Sequence, residues 1–202
     1  MDNYSRSIAI AGTHGKTTTT SIVSQILLAA DMDPTISVGG MLDAIGGNIR
    51  VGKSDLFVTE ACEYTNSFLN FRPKYNLILN IEEDHLDFFK DIDDIRHSFR
   101  EFAKNTAPDG VIILHGSIER HEEITEGLPV KVRTYGFDSS NDFHATELTY
   151  DEQGCASFEA YEGTASLGRF TLSIPGEHNA LNALAAIALA VEMKIPVSSI
   201  LK

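Results

Sequence analysis

The feature that most constrains this chain is Gly12-Thr13-His14-Gly15-Lys16-Thr17-Thr18, set between an apolar run at 7–11 and a striped segment at 16–30. A short apolar run that stops at glycines reads as a buried strand. In the segment after it, Ile22, Ile26 and Ala30 repeat at i+4, with Val23 and Leu27 beside them. That spacing predicts a helix with one apolar face, which Asp33-Pro34 ends. A strand that turns through glycines into a helix aims its loop N–H groups and the helix dipole at one spot, an anion-binding geometry. Lys16 adds charge for outer phosphates, and Thr17 adds a hydroxyl for Mg²⁺. The full phosphate-loop pattern has a glycine five positions before Gly15, where this chain has Ile10. The loop is therefore a shortened form, and the expected ligand is ATP with Mg²⁺.

Beyond the loop, strands are expected over 56–59, 77–81 and 111–114. Ile92, Ile95, Phe99 and Phe102 repeat at three and four, which predicts a helix over 92–104. Asp91, Asp93 and Asp94 stand at its start, where the helix dipole favours negative charge. Strand and helix alternate, so the fold class is α/β: a P-loop-type parallel sheet flanked by helices. From about Val132 the pattern changes. Strand-like runs at 143–150, 156–161 and 169–173, with turns at Asp151-Glu152-Gln153-Gly154 and Glu162-Gly163-Thr164, predict a small antiparallel sheet in the C-terminal third. An Ala- and Leu-rich helix over 179–193, apolar nearly all round, is expected to be buried.

Composition excludes several functions. A net charge of −13 argues against nucleic acid, whose phosphates need dense Lys and Arg. No stretch approaches the roughly 20 apolar residues of a membrane span. The first residues carry no signal-peptide pattern, so the expected location is cytoplasmic. Cys62 and Cys155 make neither a disulfide framework nor a metal quartet; Cys62 reads as a small buried residue.

In a parallel sheet, ligands meet the carboxyl ends of the strands. Glu60 follows the 56–59 run and Asp84-His85 follows the 77–81 run, so both are expected on the edge that carries the loop. Mg²⁺ takes oxygen ligands, which suits Glu60 beside Thr17; imidazole prefers softer metals, so His85 reads either as a ligand or as a loop-satisfying side chain. Glu82, Glu83 and Asp87 read as solvated loop charges, and Glu63 is open between a supporting role and the surface. His178, Asn179 and Asn182 form a third cluster. The two amides lie one turn apart on one helix face, suited either to an adenine edge or to helix capping, and His178 could stack on a base.

Taken in order, Gly-Thr-His-Gly-Lys-Thr-Thr-Thr-Thr, Glu60-Ala61-Cys62-Glu63-Tyr64 with Ser67-Phe68-Leu69, Asn80-Ile81-Glu82-Glu83-Asp84-His85-Leu86-Asp87, and Pro175-Gly176-Glu177-His178-Asn179 with Asn182-Ala183 resemble the central ATP-binding domain of the Mur ligases. The resemblance runs over nearly the whole chain and is nearest the member that joins L-alanine to UDP-N-acetylmuramate. It implies a domain 1–202 that is the ATP-holding part of a longer enzyme. An N-terminal domain would hold the UDP-sugar and a C-terminal domain would bring the amino acid, with Met1 added or chosen for expression. Carried over residue by residue, Lys16 and the amides of Gly12, Thr13, His14, Gly15 and Thr18 would hold the β- and γ-phosphates. Thr17 and Glu60 would bind a first Mg²⁺, and His85 would help hold a second ion. His178, Asn179 and Asn182 would surround the adenine, while His14, Asn48 and Arg50 would lie on the muramoyl side.

Several Mur ligases carry a carbamylated lysine in the helix after the motif histidine. This chain has Arg96-His97-Ser98-Phe99-Arg100 there, with no lysine in register, which fits the alanine-adding member. The implied chemistry is an acyl phosphate formed from ATP and captured by an amine. The rival readings are a ligase that recycles whole peptides onto the same sugar, a folylpolyglutamate synthase-like enzyme, and a nucleotide-binding module without turnover of its own.

Overall fold

In the computed structural model, which describes residues 4–201, ten strands form one continuous sheet. β1 (Arg6–Ala11) leads through the glycine loop into α1 (Lys16–Ala29). β2 (Thr35–Leu42) and β3 (Gly47–Arg50) form one edge, and β4 (Leu56–Ala61) returns beside β1. β5 (Tyr75–Ile78), α2 (Ile92–Lys104), β6 (Val111–His115), α3 (His121–Thr125) and β7 (Lys131–Gly136) build the other side. β8 (Phe143–Tyr150), β9 (Cys155–Glu162), β10 (Ala165–Pro175), α4 (Glu177–Glu192) and α5 (Val197–Ile200) complete the chain. The strand order is β10-β9-β8-β7-β6-β5-β1-β4-β2-β3.

The α/β class is as expected. Pairing is parallel from β2 through β4, β1, β5, β6 and β7 to β8. It is antiparallel for β8–β9, β9–β10 and β2–β3. The antiparallel part is not a separate sheet: β8 joins β7 at Tyr135↔Phe143 and Gly136↔His144. Three strands were not legible in sequence: β2, β3 and β7. β7 reads Lys-Val-Arg-Thr-Tyr-Gly and is only partly buried. Polar links hold it, since Arg133 pairs with Asp142, Glu162 and Glu192. β5 starts two residues earlier than expected; Leu79 still donates its N–H to the Ala11 carbonyl at 2.9 Å, so the chain stays extended toward the loop.

Side chains alternate across a strand, and the sheet divides its core accordingly. Ile8, Ile10, Leu56, Val58, Leu77 and Ile113 pack with Val23 and Leu27 of α1 and Leu184 and Ile187 of α4. Ala9, Ala11, Ile78, Ile112 and Leu114 face Ile95, Phe99 and Phe102 of α2. Each fully buried side chain of the larger kind contributes roughly 1.5–3 kcal/mol. α4 is buried over nearly its whole surface, as its composition predicts. At the start of α2, the Asp91 carboxylate accepts from the Asp94 N–H at 3.0 Å, and Asp94 accepts from the Lys90 N–H at 3.1 Å. This reciprocal cap fixes where the helix begins. Among the described residues, no helix is long and apolar enough to cross a membrane.

Candidate functional site

The carboxyl ends of β1, β4 and β5 converge on residues 12–17. Gly12 has φ +147° and Gly15 has φ +83°, where side chains are disfavoured. A Cβ on Gly12 would stand 3.0 Å from the Leu79 Cβ, and one on Gly15 would stand 2.6 Å from the Asn182 carboxamide oxygen. The glycines thus serve the turn and also let β5 and α4 approach the loop. Gly15 is the N-cap of α1, so the helix opens at the loop.

Asn80 clamps this turn. Its Oδ1 accepts from the His14 N–H at 2.7 Å, and its Nδ2 donates to the His14 carbonyl at 3.0 Å. Thr13 adds a second link, since its Oγ1 accepts from the Glu82 N–H at 3.0 Å. The His14 side chain itself is exposed.

Lys16 directs its ammonium back across the loop. It donates to the carbonyls of Gly12 and Thr13, and to Glu63 Oε2 at 2.9 Å. Glu63 is 2% exposed. The residue left open in sequence is therefore a buried counterion of the loop lysine. Thr17 Oγ1 donates to Glu60 Oε2 at 3.1 Å, and Glu60 Oε1 accepts from the Gly39 N–H at 2.5 Å. A hydroxyl and a carboxylate oxygen, side by side at the loop, fit Mg²⁺, which completes its shell with water and phosphate oxygens. Among the described residues, no cluster of three or more His, Cys, Asp or Glu could hold a metal by itself.

His85 sits on the same rim in a left-handed conformation, φ +51°. Its Nε2 is 3.8 Å from Glu63 Oε1 and 3.8 Å from Asp84 Oδ2, and its ring lies against Tyr64 with centroids 4.5 Å apart. The Tyr64 hydroxyl donates to Asp87 at 2.8 Å, and that bond holds the phenol above its ordinary pKa. Glu82, Glu83 and Asp87 are exposed. Cys62 is exposed too, not buried as expected. Residues 62 and 63 leave β4 in opposite directions, and Glu63 takes the inward one.

The third cluster divides. Asn179 and Asn182 are buried, at 8% and 7% exposure. Asn182 Nδ2 donates to Asn179 Oδ1 at 3.1 Å, and Asn179 Nδ2 donates to the Pro175 carbonyl at 2.7 Å. The structure brings Asn182 against Gly15 and leaves His178 exposed beside Gly176. Asn48 is exposed on β3. Arg50 is not brought to the loop: it binds the Pro34 carbonyl and Asp33 just before β2, whereas Gly39 lies in the second half of that strand. Thr18 occupies the first turn of α1. Sequence reasoning gave no role to Asn80 or Gly39. The available signals were a polar residue closing an apolar run and a glycine pair within a strand.

Fold and loop define a phosphate-loop α/β domain with a carboxylate set for a hard cation. The chain matches the family model described as Mur ligase middle domain over residues 10–190, and it belongs to that family. It is 63% identical over 201 residues to UDP-N-acetylmuramate–L-alanine ligase of Agathobacter rectalis, covering 100% of this chain and 44% of that protein. The protein of the same name from Caldanaerobacter subterraneus subsp. tengcongensis is 52% identical over 189 residues, covering 94% of this chain and 41% of that one. This chain thus spans less than half the length of these relatives. Among solved structures it is similar to UDP-N-acetylmuramate:L-alanyl-gamma-D-glutamyl-meso-diaminopimelate ligase from Neisseria meningitides, with TM-score 0.87 and 26% identity over 99% of this chain and 65% of that one.

Proposed function

We propose that this chain is the ATP- and Mg²⁺-binding middle part of a cytoplasmic ligase that joins L-alanine to UDP-N-acetylmuramate. The observation that carries the reading is the convergence of Lys16, Thr17 and Glu60 on one turn at the sheet's carboxyl edge. Identity of 63% to a relative named for that reaction supplies the substrates. The peptide-adding alternative rests on a 26% identical structure and is not favoured.

In this reading, the amides of residues 12–18 and the Lys16 ammonium hold the β- and γ-phosphates. Thr17 and Glu60 would hold Mg²⁺, which would supply neutralisation of the phosphate charge. His85 would help hold a second ion. Asn179 and Asn182 form the wall between loop and base, with His178 outermost. Exposed His14 and Asn48 face the muramoyl side. The lactyl carboxylate attacks the γ-phosphorus, and the bond to ADP breaks. The alanine amine then attacks the acyl carbon, phosphate leaves, and the amine loses a proton. Transfer of this kind is mostly positioning and charge neutralisation.

The sugar and amino-acid sites are assigned to other parts of a longer enzyme. The test has two arms. Calorimetry on the 202-residue chain is expected to show Mg-ATP binding, and phosphate release by the longer enzyme is expected to need both UDP-N-acetylmuramate and L-alanine. Alanine-dependent phosphate release by the 202 residues alone would overturn this division of labour.

A further inference from the structure

The loop lysine is already neutralised from within. An ammonium has three donors, and those of Lys16 meet the Gly12 carbonyl, the Thr13 carbonyl and Glu63. The Lys16 side chain is 16% exposed and that of Glu63 only 3%, so the pair is largely removed from water. Glu60 lies on the neighbouring hydroxyl of the same turn, and Asp84 flanks His85. The carboxylates of Glu60, Glu63, Glu82 and Asp84 thus stand around a loop whose one lysine is bonded to Glu63. A bare triphosphate arriving here would share that lysine with a buried anion, and unit charges repel more strongly in such surroundings than in water.

We propose that Glu63 is a charge gate, a positioning residue acting through Lys16, which makes the loop accept a nucleotide only together with a divalent cation. Its role differs from that of Glu60. Glu60 offers an oxygen to the metal, so losing it weakens the metal complex. Glu63 is bonded to Lys16, with His85 Nε2 3.8 Å from its other oxygen, so losing its charge relieves repulsion against metal-free phosphate. The inference rests on the nucleotide-binding reading above.

The experiment measures ATP dissociation constants by calorimetry, in excess Mg²⁺ and in EDTA, for the 202-residue chain and its variants. Wild type is expected to bind far more weakly in EDTA. In Glu63→Gln the ratio of the two constants is expected to fall by about tenfold or more, through tighter metal-free binding. Glu63→Asp keeps the charge and should keep the ratio. Glu63→Ser, whose vacated space water can fill, is read the same way if the Gln variant unfolds below assay temperature. A ratio unchanged in the charge-removing variants overturns the gate, as does parallel weakening of both constants, which marks a purely structural pair. Wild type binding no ATP in either buffer would sink the nucleotide reading itself, a different outcome from either.

Discussion

The side chain of Asn80 grips the backbone of His14 at both its N–H and its carbonyl, at 2.7 and 3.0 Å. One amide thereby fixes both peptide groups that flank His14, Thr13–His14 and His14–Gly15, from just beyond the end of the neighbouring strand. The two bonds together contribute about 1–3 kcal/mol. Asn80→Ala is expected to weaken Mg-ATP binding about tenfold and to speed amide exchange over residues 12–16. Unchanged exchange at those amides would show that the clamp is idle.

Gly15 and Asn182 form a second such contact. A Cβ at Gly15 would stand 2.6 Å from the Asn182 oxygen, on a backbone with φ +83°. Gly15→Ala is expected to cost about 1–2 kcal/mol from the left-handed backbone, plus the collision. Combining it with Asn182→Ala removes the collision only. Thermal unfolding of both single variants and the double should give a loss smaller than the sum of the singles. Strict additivity would mean that loop and helix do not press on each other.

Lys16→Ala removes the one lysine within residues 12–18. In the longer enzyme, turnover measured by L-alanine-dependent phosphate release is expected to fall about a thousandfold or more. A near-normal rate would contradict the assignment of the loop.

Away from the site, Asp55 ties the starts of β1 and β4 together through Arg6, whose Nε donates to it at 2.8 Å. The Arg6 hydrogen bond, then that of Ser5, holds the carboxyl at about 2. The unfolded value is near 3.9, so the folded pKa is depressed. Stability from this pair is therefore fully present above about pH 4 and is lost as pH falls toward 2. Thermal midpoints from pH 5 to 2 should fall less steeply for Asp55→Asn than for wild type. Identical slopes would remove Asp55 from the acid transition.

Much of the fold was legible because its signals are local. The 92–104 helix is visible in its repeat, and its boundary is set by the Asp91–Asp94 cap within one turn. β7 was not legible, because Arg133 finds its carboxylates just before β8, on β9 and on α4, and no spacing within the strand records that. Cys62 and Glu63 show the same limit within the site. Adjacent in sequence, they part at the end of β4, and only the position of Lys16 across the sheet makes the inner place suit a carboxylate.

The sequence by itself determined the turn: glycines where φ must be positive, an apolar strand before it, a helix after it, and a lysine and a hydroxyl at its mouth. These depend on residues a few positions apart, so short-range stereochemistry suffices. Tertiary structure decided what surrounds the turn. Parallel crossovers brought Asn80, Glu60 and Glu63 to it from other strands and Asn182 from α4, and sent Arg50 to the far end of β2. Side chains far apart in sequence meet only after strand order and register are set, and that order is a property of the whole core.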